Sequence, residues 1–319
     1  MKFSISENEV ENVALLRENK LKYLADKRLI EKENGNILYE KFENYLSDGV
    51  YNVIKDNIKY PVFVKTKKNS RKLYVLLSGG RTPGKTGFLD TLPRFKRWSF
   101  YNYFDGHVIV FDDPMYSTFP DLLVGWFYGT KDRSYCLDIC EISKVLAEKL
   151  GASEICYYGS SSGGYAALLC ATFNANSTAI AINPQLNLRT DWYKVKFKKL
   201  TGIDLDCEDS FLRNKLSNRI KRRYDSRFYI VQNLTDTKTI KEHFLPFCKD
   251  FGIDAQYGII EKDNLTTWVY NAPGGHIAYE DSRILTFILN LAFPFFDRNL
   301  IYEQISDLWY TIRDKKQIK

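Results

Sequence analysis

From residue 73 onward, the chain alternates between short apolar runs and longer amphipathic stretches. The apolar runs predict buried strands, and several of the stretches between them have the apolar spacing of helices. Because strands that alternate with helices form right-handed crossovers, the pattern predicts an α/β fold with a mostly parallel sheet covered by helices on both faces. The predicted strands are 73–77, 107–111, 154–158, 178–182, 227–231 and 255–260, with helices near 135–149, 166–171 and 238–249.

Two segments precede this series. Residues 7–32 carry spaced leucine and valine side chains among many charges, which predicts an amphipathic helix. Residues 50–54 and 60–64 predict two short strands that lead from an antiparallel edge into the buried sheet. We therefore divide the chain into an N-terminal helical extension, residues 1–49, and one α/β domain, residues 50–319. The helix is either a contact within a homo-oligomer or simple packing.

Residues 185–226 interrupt the alternation, because they are too many for a simple crossover and contain no strand pattern. We interpret this segment as a helical cap inserted into the domain. It holds eleven Lys and Arg against six Asp and Glu, an excess of +5 in a chain of net charge +7. Two interpretations stay open: a solvated helical face, or a basic lid over an anionic substrate or donor.

A cluster of small residues, Gly159-Ser160-Ser161-Ser162-Gly163, lies between the strand at 154–158 and a helix-forming run. This G-x-S-x-G pattern is typical of a nucleophile elbow, a sharp turn that holds a serine hydroxyl clear of the sheet. Ser161 is the central serine and the predicted nucleophile. The backbone N–H of Ser162, at the start of the following helix, would face a developing oxyanion.

A serine hydroxyl is a poor nucleophile without a base, and the base needs an orienting acid. Among the three histidines, His276 lies in a loop after the last predicted strand, where an order of serine, acid and histidine places the base. His243, in a predicted helix, is the second choice. Asp236 follows the strand after the cap and is the predicted acid, although an aspartate here could equally begin a helix as its N-cap.

The loop after strand 73–77 supports two different predictions. Gly79 and Gly80 would supply the second backbone N–H group of an oxyanion hole, and Arg81 would pair with an anionic group of the substrate or lie on the surface. The same loop, residues 79–86, also matches the phosphate-binding pattern G-x-x-x-x-G-K-[ST], with Lys85 as its lysine. Gly87 and Pro93 argue against the helix that a P-loop needs, so this nucleotide site stays an alternative.

With these residues in place, the chain resembles the α/β-hydrolases. More narrowly, it resembles bacterial hydrolase-fold proteins of capsule and surface-glycan biosynthesis, including capsular polysaccharide O-acetyltransferases and the glycan acetylases of accessory secretion systems. The resemblance covers about residues 70–280, and the P-loop-like segment departs from it. It implies a triad of Ser161, Asp236 and His276. The segments that carry it are 95–100, 112–114, 125–129, 158–165 and 183–185.

The reaction expected from this resemblance is serine-dependent O-acetylation of a bacterial capsular or surface polysaccharide from acetyl-CoA, with no tightly bound cofactor. We expect Arg81, Lys85 and Trp126 to contact the substrate or donor, and we expect no metal site. Three alternatives stay open: an esterase or deacylase that uses water as acceptor, a P-loop enzyme, and a non-catalytic binding scaffold. The partners expected are a glycan acceptor and an acyl donor, without nucleic acid.

The apolar runs, the first residues and the cysteines of the sequence bear on where in the cell the protein is located. No apolar run approaches the length of about 18 residues that a membrane span needs, and the first residues lack the apolar core of a signal peptide. The six cysteines form no C-x-x-C pair, which favours buried free thiols in a reducing compartment. We therefore expect a cytoplasmic protein.

Overall fold

The computed structural model describes residues 28–33, 36–38, 46, 48–81, 95–207, 211–276 and 282–293. Within these residues, eleven strands form one sheet in the order β10-β11-β9-β8-β7-β5-β6-β4-β3-β1-β2. The strands are β1 (Arg28–Glu33), β2 (Asn36–Leu38), β3 (Gly49–Lys55), β4 (Ile58–Lys65), β5 (Lys72–Leu77), β6 (His107–Phe111), β7 (Glu154–Ser160), β8 (Thr178–Ile182), β9 (Arg227–Asn233), β10 (Gly258–Lys262) and β11 (Leu265–Tyr270).

The centre of the sheet is parallel. Strands β6, β5, β7, β8, β9 and β11 pair in parallel, whereas β4 pairs antiparallel with β6 and with β3, and β10 pairs antiparallel with β11. The predicted α/β fold is thus confirmed, with its antiparallel edge. All these parallel strands end at one edge of the sheet, which therefore collects the loops that follow them.

Helices cover both faces of the sheet. The described helices are α1 (Met115–Thr118), α2 (Tyr135–Leu150), α3 (Ser162–Phe173), α4 (Lys194–Thr201), α5 (Leu216–Lys221), α6 (Thr237–Thr239), α7 (Leu245–Phe251) and α8 (Ser282–Ala292), with a 3-10 helix at Trp98–Tyr103 and a π-helix at Ile240–Phe244 between α6 and α7. Within the described part of the chain, no helix is both long and apolar enough to cross a bilayer.

Each central strand is buried on both faces, which explains its uninterrupted apolar sequence. Along β5, Leu73, Val75 and Leu77 belong to one core cluster together with residues of α2 and α3. The alternate residues Tyr74 and Leu76 belong to a second cluster on the other face, together with residues of α8. The two cores follow from the alternation of side chains along a strand.

The N-terminal prediction needs a correction. The helix predicted for residues 7–32 is wrong for residues 28–32, because they lie in β1, which pairs in parallel with β3; residues 7–27 lie outside the described part. Glu33 pairs with Asn36 of β2, and the two residues between them are Asn34 and Gly35. Asn-Gly between two strands is a strong hairpin signal that outweighs the helical spacing before it.

The last strands also differ from the prediction. The strand predicted for residues 255–260 is β10 and begins later, at Gly258. Strand β11, at Leu265–Tyr270, was not predicted, although it is the parallel neighbour of β9. Its polar start, Thr266 and Thr267, interrupts the apolar run by which the other parallel strands are recognised.

The cap segment, residues 185–226, contains α4 and α5 and, apart from residues 208–210, which lie outside the described part, no strand. Several of its arginines point inward. Arg213 is 1% exposed and stacks 3.8 Å from the centroid of the Tyr128 ring. Arg219 and Arg223 donate hydrogen bonds to the hydroxyl and carbonyl oxygens of Thr172, near the end of α3. These cations stabilise a helix C-terminus, so part of the basic excess serves packing.

Candidate active site

Ser161 lies at a strained turn between β7 and α3. Its φ and ψ are 54° and −122°, a conformation that a residue other than glycine rarely adopts. The flanking glycines are required by space. A β-carbon on Gly159 would lie 2.3 Å from the carbonyl oxygen of Gly163, and one on Gly163 would lie 2.2 Å from the carbonyl oxygen of Leu77. The turn therefore has the geometry that the G-x-S-x-G pattern predicts.

The structure brings the three predicted catalytic side chains into one hydrogen-bonded series. The Oγ atom of Ser161 is 2.9 Å from Nε2 of His276, and Nδ1 of His276 is 2.7 Å from Oδ2 of Asp236. Because Nδ1 faces a carboxylate, it carries the ring proton, which leaves the Nε2 lone pair for the serine hydroxyl. These residues are 115 and 40 positions apart in the chain and meet only through the fold.

Asp236 is held in its charged form. Burial opposes the charge, but hydrogen bonds from His276 and Thr239 outweigh it and lower the pKa of the Asp236 carboxyl. The backbone N–H of Thr239 donates to Oδ1 at 3.3 Å, so Asp236 is also the N-cap of α6. Asp236 can therefore be both the partner of His276 and a helix N-cap, because its Oδ2 contacts His276 and its Oδ1 accepts from Thr239.

Asn233 fixes the loop that carries His276, a role that sequence analysis missed. Its side chain is fully buried; its Nδ2 donates to the carbonyl oxygens of Ala272 and Gly275, both at 3.0 Å, and its Oδ1 accepts from the N–H of Ala272 at 3.0 Å. Asn183 in turn accepts from the N–H of Asn233 at 2.7 Å. The only feature of the sequence that could have identified Asn233 is that it is a polar residue at the end of an apolar strand.

The predicted oxyanion residues lie together beside Ser161. A β-carbon on Gly79 would lie 3.2 Å from the Ser160 carbonyl oxygen and 3.9 Å from Ser161 Cβ, so this loop packs directly on the turn. A β-carbon on Gly80 would lie 4.0 Å from the Ser162 hydroxyl oxygen. Ser162 is the first residue of α3, whose N-terminus favours negative charge. The two-glycine loop, Gly79 and Gly80, and the N-terminus of α3 therefore both adjoin the serine turn.

A buried polar network connects these two sides. Gln185 N–H donates to the Ser161 carbonyl oxygen at 3.3 Å, and its side-chain amide donates to Asp191 at 2.7 Å. Asp191 accepts from the N–H of Tyr193 at 2.8 Å, and the Tyr193 hydroxyl accepts from the N–H of Leu123 at 2.8 Å. The Leu123 carbonyl oxygen then accepts from Arg81 N–H at 2.6 Å. The start of the cap therefore ties the serine turn to the two-glycine loop.

The predicted ligand-binding residues have different placements. The Arg81 guanidinium donates to the carbonyl oxygen of Pro120 at 2.5 Å and lies 5.3 Å from the Tyr116 ring centroid. Trp126 is fully buried and donates to Gln185 at 2.8 Å, which argues against its predicted contact with a ligand. Lys85 and the rest of the P-loop-like segment after Arg81 lie outside the described residues.

The other two histidines are buried in structural positions. Nδ1 of His107 accepts from the backbone N–H of Lys67 at 3.1 Å. His243, the second choice for the base, accepts from the N–H of Asn187 at 3.2 Å and faces Asp191, with 3.5 Å between Nε2 and Oδ2. Among the described residues, no group of three or more His, Cys, Asp or Glu side chains is arranged to hold a metal ion.

Two basic residues that were not predicted as site residues adjoin this centre. Nη2 of Arg97 donates to the Ser160 hydroxyl at 2.6 Å, and Nζ of Lys96 donates to the Gly80 carbonyl oxygen at 2.7 Å. Both belong to the turn before the 3-10 helix. Only their position in the fold identifies them, because 63 residues separate Arg97 from Ser160.

Comparison with known proteins agrees with the observed fold. A 2,6-dihydroxy-pseudo-oxynicotine hydrolase matches with a TM-score of 0.50 and 14% identity, over 77% of this chain and 68% of that chain. The chain has the α/β-hydrolase fold. In this chain, Ser161 follows β7, Asp236 follows β9 and His276 follows β11. No protein-family model and no curated protein matches the sequence.

Two further solved structures are similar at lower scores. The capsule O-acetyltransferase of Neisseria meningitidis serogroup A has a TM-score of 0.49 and 17% identity, over 78% of this chain and 96% of that chain. Est1E from Butyrivibrio proteoclasticus has a TM-score of 0.48 and 13% identity, over 81% of this chain and 99% of that chain.

Proposed function

We propose that the protein transfers an acyl group through an acyl-serine intermediate on Ser161. The observation that carries this proposal is the hydrogen-bonded series of Ser161, His276 and Asp236 at a strained turn, beside a two-glycine loop. A serine at this turn can be activated by the imidazole, and backbone N–H groups nearby can stabilise an oxyanion. The reaction that we favour is O-acetylation of a bacterial capsular or surface polysaccharide from acetyl-CoA.

In the first half-reaction, Ser161 Oγ attacks the thioester carbonyl carbon while Nε2 of His276 takes the hydroxyl proton. Asp236 stabilises the resulting imidazolium. The N–H groups of Ser162 and of the Gly79–Gly80 loop bind the tetrahedral oxyanion. When the carbon–sulfur bond breaks, His276 returns its proton to the leaving sulfur, so a free thiol departs and an ester remains on Ser161.

In the second half-reaction, a sugar hydroxyl attacks the acyl carbon and gives its proton to His276. The bond between the carbon and Ser161 Oγ then breaks, and the proton passes to the serine, which restores the starting state. The choice of a sugar acceptor and of acetyl-CoA rests on the resemblance of the sequence segments at 95–100, 112–114, 125–129, 158–165 and 183–185 to surface-glycan O-acetyltransferases.

Hydrolysis is the second candidate, with water in place of the sugar. It is favoured by the exposure of the base, since 45% of the His276 side chain is accessible to solvent. A water molecule at Nε2 would attack the acyl-serine by the same proton transfers. The two reactions therefore differ in how well the bound acceptor excludes water.

Thiol release from acetyl-CoA tests the proposal. We expect release that depends on Ser161 and rises when acceptor polysaccharide is added, with acetyl groups found on the glycan. Ser161→Ala should abolish it, whereas Ser117→Ala, at an exposed serine, should not. Release that ignores the glycan would indicate hydrolysis, and full activity of Ser161→Ala would reject the proposal altogether.

A further inference from the structure

A small cavity lies between the cap and the segment formed by the π-helix and α7. Its volume is about 170 Å³, and part of its lining is apolar, from the buried side chains of Leu186, Leu216 and Phe247. A cavity of about 150 Å³ in another protein holds a molecule as large as benzene, so this one has room for a small ligand. The catalytic residues at the serine turn do not line it.

The walls of the cavity are held in place by contacts within the protein. The backbone N–H of Asn187 donates to Nδ1 of His243 at 3.2 Å, which joins the cap to the π-helix. The Ser217 hydroxyl donates to Oδ2 of Asp250 at 2.9 Å, which joins α5 to α7. The cavity is therefore formed before a ligand arrives, and such preorganisation lowers the entropy cost of binding.

Two opposite charges line this cavity, the guanidinium of Arg189 and the carboxylate of Asp250. Among the described residues, neither group forms an ion pair with another side chain, and the two do not pair with each other. A guanidinium binds a carboxylate through two parallel hydrogen bonds, and a carboxylate binds an ammonium group. The cavity thus presents a place for a negative group and a separate place for a positive one.

Two polar atoms of the lining residues are buried without a hydrogen-bond partner in the described part of the chain: Nε of Arg189 and Oδ1 of Asn214. The orientation of the Asn214 amide is fixed, because its Nδ2 donates to the carbonyl oxygens of Leu205 at 2.7 Å and of Cys207 at 3.2 Å. A buried donor or acceptor without a partner is costly. A ligand that brings one acceptor and one donor would satisfy both atoms.

We propose that this cavity binds a small free amino acid, a ligand with a carboxylate and an ammonium group on the same carbon atom. The carboxylate pairs with Arg189. The ammonium group, which has three N–H donors, pairs with Asp250 and with Oδ1 of Asn214. A ligand with only one of these groups leaves one charge of the cavity without its complement. This site goes beyond the proposed acyl transfer and is independent of it.

Isothermal titration with L-alanine and two analogues of similar size tests the proposal. Propionate lacks the ammonium group, and L-alaninamide lacks the carboxylate. We expect a Kd on the order of 1 mM for L-alanine, and a Kd at least about tenfold higher for each analogue, because each loses one charged contact. Equal affinity for L-alanine and either analogue would overturn the proposal, as would absence of binding by L-alanine, L-serine and L-valine alike.

The variant Arg189→Gln/Asp250→Asn removes both charges of the cavity and leaves the net charge unchanged. It should weaken the binding of L-alanine at least about tenfold. The matched control is Arg222→Gln/Asp254→Asn, at two exposed residues that do not line the cavity, and it should bind as the unmodified protein does. Unchanged binding in the cavity variant, or an equal loss in the control, would show that the amino acid does not bind between Arg189 and Asp250.

Modification of Ser161 separates this cavity from the active site. Protein that carries a fluorophosphonate label on Ser161 should bind L-alanine with unchanged Kd, and so should Ser161→Ala. If the label blocks binding, the amino acid occupies the active site and the proposal fails. Because the titration measures no turnover, failure of the proposed acyl transfer would leave the predicted binding of L-alanine unchanged.

Discussion

At the scale of single residues, the candidate site is a set of unfavourable conformations and charges that neighbouring groups compensate. Ser161 occupies a positive φ that costs on the order of 1–3 kcal/mol, and two glycines provide the space for it. Asp236 is 4% exposed and keeps its charge because His276 and Thr239 donate to it. The local sequence predicts the serine turn well, since close backbone contacts require the glycines at those positions.

Asp236→Asn tests the role of this carboxylate. Without the negative charge, the His276 ring loses the partner that fixes its tautomer, so we expect kcat to fall by a factor on the order of 10⁴. Initial rates with p-nitrophenyl acetate measure it. Asp204→Asn is the control, because Asp204 is an acid paired with Lys198 far along the cap, and it should keep full activity. A fall of less than about tenfold in Asp236→Asn would contradict the assignment.

The same residue predicts a pH dependence of stability. The folded-state pKa of Asp236 is lowered, so the unfolded chain binds the proton more tightly than the folded chain does. The carboxylate therefore stabilises the fold fully above about pH 4, and this contribution is lost as the pH falls through the folded-state pKa. Denaturant unfolding between about pH 2 and 6 should show a steeper decline for the unmodified protein than for Asp236→Asn. If the stabilities of the two proteins changed in parallel with pH, the predicted contribution of the Asp236 carboxylate would be contradicted.

At the scale of elements, loops from distant parts of the chain are tied together by buried polar side chains. Asn233 fixes the loop of His276, and the series from Gln185 through Asp191 to Tyr193 ties the elbow to the loop at Leu123. These contacts could not be predicted from the sequence, because a single Asn or Tyr has no spacing pattern that identifies its hydrogen-bond partner. The strands, by contrast, were predicted where apolar runs were unbroken and missed where Thr266 and Thr267 interrupted one.

Tyr193→Phe tests this connection. Removal of the hydroxyl leaves the partly buried N–H of Leu123 without this acceptor, at a cost of about 1 kcal/mol. Because Leu123 also pairs with Arg81, the two-glycine loop should shift, so kcat should fall about tenfold with little change in KM. Tyr224→Phe, at a tyrosine that is 86% exposed, should change neither stability nor rate. An unchanged kcat in Tyr193→Phe would show that the network does not position the loop.

At the scale of the whole molecule, the charge composition of the cap was a weaker guide to the structure than the alternation of strands and helices along the chain. The basic excess of the cap suggested a lid, yet Arg213, Arg219 and Arg223 are directed toward Tyr128 and the end of α3.

The six cysteines are all free thiols that differ in burial: Cys207 is exposed, and the other five are buried. Burial raises the pKa of the Cys248 thiol to about 12 and raises that of Cys156 and Cys136 as well.

Thiol titration should follow this burial. With a disulfide reagent at pH 8, we expect one of the six thiols to react rapidly in the folded protein, and all six after denaturation. Cys207→Ser should remove the rapid phase, whereas Cys248→Ser should leave it intact. Rapid reaction of several thiols in the folded protein would mean that the core on the α2 and α3 face is more open than described.

The most direct measurement of the central claim is labelling of the folded protein by a serine-directed fluorophosphonate, followed by peptide mass spectrometry. The account predicts one modified residue, Ser161. Ser161→Ala should abolish the label, Asp236→Asn should slow it strongly, and Ser160→Ala should retain it. Absence of labelling in the unmodified protein, or a label that persists in Ser161→Ala, would contradict the assignment of Ser161 as the nucleophile.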